Sequence, residues 1–121
     1  MSTKYGYSLS DWEKAKREMR NILIDIAKKQ DTIFYSELVR KVLIISIEAN
    51  SYALAAMLGE ISTAEDAAGR GMLSAVVVRK ENNRPGKGFF ELARILVRDV
   101  SDEEKFWINE VNRVHSSWVG S

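Results

Sequence analysis

The residues best suited to chemistry lie between Arg79 and Gly88. Arg79, Lys80, Arg84 and Lys87 place four cations within nine residues, against a single acid, Glu81. Cations at that density can neutralise phosphate oxygens. Asn82 and Asn83 can donate to phosphate or to a base edge, and Gly86 and Gly88 let a backbone approach closely. The chain as a whole carries 18 Lys and Arg against 17 Asp and Glu, a formal net charge of +1. Attraction to nucleic acid must therefore come from this local cluster, because the global field is close to zero.

Other chemistries fit less well. Gly86-Lys87-Gly88 lacks the glycine spacing and the Lys-Ser/Thr ending of a nucleotide phosphate loop, and it reads as a turn. A metal-dependent nuclease core built on an acid-x-lysine triplet needs a carboxylate two places before its lysine, and Val78 stands there before Lys80. His115 is the single histidine; it falls near Trp118 with no metal-ligand pattern around it. Ser74 sits between apolar residues without a local histidine base. The absence of cysteine excludes a disulfide framework, a thiolate metal site and a cysteine nucleophile, and suits a reducing cytoplasm. No apolar segment approaches the roughly 20 residues needed to span a bilayer, and the N-terminal residues lack the apolar stretch of a secretory signal. These readings predict a cytoplasmic, non-enzymatic protein with no cofactor, no metal and no membrane partner.

The elements that must position the basic segment can be read from pattern. With 121 residues, 45% hydrophobic and 29% charged, the chain suits one globular domain. Residues 1–9 read as an arm and residues 10–119 as the domain. Ser10-Asp11-Trp12-Glu13 is written as a capping box. Trp12, Ala15, Met19, Ile22, Leu23 and Ile26 then fall at helical spacing, predicting a helix that ends near Lys28–Gln30. Thr32–Tyr35 predicts a short strand, and Ser36 caps a helix from Glu37 to about Leu43. Asn50 or Ser51 caps a third helix whose apolar face is Tyr52, Leu54, Met57, Leu58 and Ile61, with Gly59 marking a close helix crossing. Gly69-Arg70-Gly71 ends it. Leu73–Val78 predicts a strand paired antiparallel with residues near 88–92, the two joined by the basic loop. A capping box at Ser101–Glu104 starts a last helix bearing Trp107, Val111, Val114 and Trp118. Trp12, Met19, Ile22, Leu58, Val76, Phe89 and Trp107 are the expected core.

That order of elements resembles the winged helix-turn-helix domain: an α+β fold, mainly helical, with a small antiparallel β-hairpin as the wing. Tyr35–Leu38, Leu58–Ser62 and Pro85–Ala93, the last reading Pro-Gly-x-Gly-Phe-Phe-Glu-Leu-Ala, are also similar to motifs of uncharacterised bacterial proteins. The winged-helix resemblance implies a third helix in the major groove and a wing on phosphate. Asn50, Ser51 and Tyr52 are then the candidates for base readout, because no Arg or Lys lies between Ser51 and Ala68. The expected function is binding of double-stranded DNA, as a regulator or as an accessory to a DNA-processing or defence system. The alternative is a winged protein-interaction module that does not read DNA. The terminal helices, through Trp118, could supply a homodimer contact.

Overall fold

The first helix starts two residues earlier than its capping signature. In the computed structural model, which describes residues 2–121, Ser8 Oγ accepts the Asp11 amide at 3.1 Å and α1 runs Leu9–Lys28. Ser10 lies inside the first turn, so the box expected there does not form. The cause is upstream. The described part of the expected arm forms an antiparallel hairpin, β1 (Thr3–Lys4) with β2 (Tyr7–Ser8), which delivers Ser8 to the helix start. Met1 lies outside the described residues. Tyr5 and Gly6 both have positive φ, 52° and 86°, as a two-residue hairpin turn requires. The Tyr5 ring stacks on Trp12 at 5.7 Å, and the Tyr7 hydroxyl donates to the Ser46 carbonyl at 2.6 Å.

From Trp12 the pattern holds. Trp12, Ala15, Met19, Leu23 and Ala27 are buried along one face of α1, while Ile22 and Ile26 lie half-buried at its edge. Ile33–Phe34 forms β3, followed by α2 (Tyr35–Lys41). This helix opens with the Phe34 amide donating to the Glu37 carboxylate at 3.2 Å rather than with Ser36 as cap. The ten residues 42–51 then run without regular structure, far longer than the three or four of a helix-turn-helix turn. Glu18 accepts the Leu43 amide at 3.0 Å and the Ile44 amide at 3.1 Å. Ser51 caps α3 (Tyr52–Ala67) by accepting the Leu54 amide at 3.1 Å.

The strand expected at 73–78 and its partner at 88–92 do not form. Leu73–Val76 is a 3₁₀ turn, and only Val77–Val78 is a strand, β4. It pairs with β3 in parallel, Ile33 beside Val77 and Phe34 beside Val78. Residues 88–92 lie inside α4 (Lys87–Ile95). The wing is thus absent, and the antiparallel hairpin of this fold is the N-terminal one. The reason is burial. Every residue from Gly71 to Val78 is buried, and α1, α3 and α5 (Glu103–Trp118) pack around the turn. An apolar run with no polar alternation carries no period that separates a strand from a buried helical turn. In α4 the buried residues are Phe89, Phe90 and Ala93, a helical spacing that the β-forming aromatics disguise.

The last helix begins after Asp102, whose carboxylate accepts the Lys105 amide at 3.1 Å, so the Ser101–Glu104 box is not used either. Trp107 is half-buried rather than core, its Nε1 donating to the Ala75 carbonyl at 2.9 Å. Trp118 lies between the guanidiniums of Arg20 and Arg70, 5.7 and 5.4 Å from its ring, so it packs within its own chain. The fold is α+β and mainly helical. Among the described residues no helix is long and apolar enough to cross a membrane.

Candidate functional site

The basic segment folds as a closed turn on the end of α4. The Arg79 amide donates to the Arg84 carbonyl at 2.7 Å, and the Asn83 amide to the Arg79 carbonyl at 2.8 Å. Asn83 adopts a left-handed φ of 56°, which asparagine tolerates better than most residues. Asn82 Oδ1 accepts the Arg84 amide at 3.1 Å. Pro85 is buried, and the Gly86 amide donates to the Tyr35 hydroxyl at 2.9 Å. Burial pushes the Tyr35 phenol above its ordinary range, against the Gly86 amide and Arg79, which pull it down. The hydroxyl therefore stays neutral and serves as a latch.

The turn's cations are largely answered by acids of the same chain. Arg84 meets Glu104 at 2.7 Å, Lys87 meets Glu91 at 3.5 Å and Arg79 meets Glu81 at 3.7 Å. Lys80 makes no ion pair among the described residues. Four cations against three acids leave a surplus of one, where the sequence pattern suggested a local positive patch. Such exposed pairs are worth about 0–1 kcal/mol each, but they cancel the field that would draw in a phosphate backbone.

Part of the predicted site does come together. Asn50, Ser51, Tyr52, Arg79 and Lys80 all line one open groove of about 990 Å³, whereas Asn82, Asn83, Arg84 and Lys87 stand outside it. Ser51 is occupied, accepting from Leu54 and donating to the Glu48 carbonyl at 2.8 Å, so it caps α3 and is not free to read a base. Tyr52, expected on the inward face, is 87% exposed at the groove edge.

Two helices make the walls. From α3 come Tyr52, Ala55, Ala56 and Gly59; from α4 come Gly88, Glu91, Leu92 and Ile95. Each set follows the i, i+3, i+4, i+7 spacing of a single helix face. A Cβ at Gly59 would meet only Leu92 Cδ2, at 3.9 Å, so the glycine does not serve a tight crossing. Its missing side chain widens the groove instead. Small residues on α3 and ordinary aliphatics on α4 carry no chemical signature, which is why sequence motifs did not reveal these walls.

The far end of α4 is strained and apolar. Ile95 is 75% exposed and Val97 91% exposed. Val97 has φ of 60°, with the Arg98 amide donating to the Ala93 carbonyl at 2.9 Å and the Val97 amide to the Arg94 carbonyl at 3.0 Å. This helix ending normally places glycine in the left-handed position; a β-branched residue there costs about 1–2 kcal/mol. Val97→Gly is expected to stabilise the fold by about 1 kcal/mol, raising the melting temperature by roughly 4 °C. An unchanged or lower melting temperature would show that Val97 contributes packing that offsets its strain.

His115 lies elsewhere, its Nε2 2.9 Å from the Asp31 carbonyl. Ser74 hydrogen-bonds Ser62 Oγ at 2.6 Å inside the core. Comparison of the chain with protein-family models, curated proteins and solved structures gives no match.

Proposed function

We propose that the chain is a non-enzymatic protein-interaction module, which seats a segment of a partner protein in the groove between α3 and α4. The observation that carries this reading is the pair of helix faces turned into one groove, with Tyr52 and Ile95 exposed on its rim. Exposed apolar side chains gathered around a concave surface mark binding sites in soluble proteins. The DNA reading has less to support it. It needed a wing of free cations and a helix able to reach base edges. The turn is compact and nearly neutral, and α3 carries no Arg or Lys. A cysteine-free chain of this kind suits work in a reducing compartment such as the cytoplasm.

A photo-crosslinking amino acid at Tyr52, in cells that express the protein naturally, tests the proposal. The expected result is a discrete protein adduct that disappears when Ala55, exposed on the groove wall, is also changed to Trp. The same group at Asn112 on α5 should give no such adduct. An adduct destroyed by nuclease would restore the DNA reading, and an adduct indifferent to Ala55→Trp would remove the groove from consideration.

A further inference from the structure

The groove is electrically and chemically graded along α4. Lys80 and Arg79 stand at its N-terminal end, because the 79–86 turn closes directly onto that end of the helix. The first turn of α4 holds no acid, and Lys80 has no ion-pair partner among the described residues. Glu91 is engaged with Lys87, as Glu81 is with Arg79. Ile95, an uncharged residue, marks the other end. Arg94, next to it in the chain, is paired with Glu103 at 2.9 Å. Gly88 and Ile95 are two helical turns apart, about 10 Å along the axis.

We infer that the segment seated in the groove is an amphipathic α-helix of a partner protein, acidic at the end that meets Lys80 and apolar at the end that meets Ile95. This rests on the docking reading above. The walls favour a helix over an extended strand. Both are helix faces, one opened by Ala55, Ala56 and Gly59, and a third helix fits such a trough with anchors at i, i+3 or i+4, and i+7. The two-turn span of α4 matches that spacing: a carboxylate at i reaches Lys80 while an apolar side chain at i+7 reaches Ile95. The complementarity selects an acidic end, because Lys80 is the one charge lining the groove without an ion-pair partner among the described residues, while Arg79, Glu81 and Glu91, which also line it, are already paired.

The test is a library of amphipathic helical peptides of about 16 residues, roughly 24 Å long, displayed on phage and selected on the full chain. Ala55→Trp serves as counter-target, with its fold checked by thermal melt. Selected peptides should carry apolar residues at i, i+3 or i+4, and i+7, with Asp or Glu on the same face at one end. They should bind Lys80→Glu about tenfold more weakly, corresponding to about 1.4 kcal/mol. Exchanging the peptide's acid for lysine should restore binding to Lys80→Glu and weaken it to the wild type. Such a charge swap reports complementarity and not fold damage. Peptides that require the open groove yet ignore Lys80→Glu, or whose apolar residues alternate with period two, overturn the acidic helix and leave the docking reading standing. A selection in which no peptide distinguishes the wild type from Ala55→Trp overturns both.

Discussion

Replacing Glu110 by Ala should lower stability by about 3–5 kcal/mol, the cost of leaving a buried ion-pair partner uncompensated. Glu110 is 1% exposed on the inner face of α5. Its carboxylate accepts the Met72 amide at 2.8 Å and Arg98 Nη2 and Nη1 at 2.6 and 3.1 Å. The Glu110 hydrogen bond raises the Arg98 guanidinium further above its already high value, against the burial that lowers it. Arg98 also meets Asp66 on α3 at 2.9 Å and lies over the Phe106 ring at 5.2 Å. One carboxylate thus joins α5, the α4–α5 connection and the entry to the central 3₁₀ turn. Truncation leaves the Met72 amide buried without an acceptor and Arg98 half-paired, two penalties that add. At about 4 °C per kcal/mol for a chain of this size, the melting temperature should fall by roughly 12–20 °C. Glu110→Gln keeps an acceptor for Met72 and loses only the charge, so its loss should be about 1–3 kcal/mol. Equal losses for the two variants would show that the charge dominates and the Met72 amide is satisfied without it.

What the sequence reveals here depends on how local the determining contact is. The α1 stripe from Trp12 to Leu23 and the Ser51 cap each depend on neighbours within a turn or two, and both are legible. Ser8 is chosen over Ser10 by a hairpin whose Tyr5–Gly6 turn requires positive φ at a tyrosine, and propensity does not anticipate that. The run from Leu73 to Val78 is shaped by three helices packing around it, so its conformation is a tertiary decision. The same holds for Glu110, which looks like a solvated helix residue in Trp-Ile-Asn-Glu-Val. Its partner, the Met72 amide, lies 38 residues away. At the groove, Asn50–Tyr52 and Arg79–Lys80 can be picked out as separate polar segments. Their convergence cannot, because it is set by the parallel β3–β4 pairing and by small residues that leave space instead of filling it.

Glu60 should make the fold sensitive to acid. Its carboxylate receives Lys4 Nζ at 2.7 Å, Lys16 Nζ at 2.9 Å and Trp12 Nε1 at 3.1 Å. Burial pushes its pKa up, but these three donors outweigh burial and hold it at about 2, against an ordinary 4.5. A carboxyl whose folded pKa is depressed contributes stability above its unfolded pKa and loses it as pH falls. The window is therefore from about pH 4.5 down to about pH 2. Glu65 acts in the same direction, lowered chiefly by its hydrogen bond from Arg70. With the Glu60 side chain 28% exposed, solvent screening reduces its full linkage to about 2 kcal/mol. Glu60→Gln should accordingly melt roughly 8 °C below the wild type near pH 7. The gap should narrow through the window and close below about pH 2, once the wild-type carboxyl is itself protonated. Thermal melts of both proteins across that range measure it. A gap that stays constant with pH would assign the loss to hydrogen-bond geometry at Trp12 and not to charge. Loss of the Glu60 charge also releases Lys4, an anchor of the hairpin that places Tyr5 at the groove. Peptide binding in the groove should then weaken over the same acid window in the wild type, while in Glu60→Gln it is already weak near neutral pH.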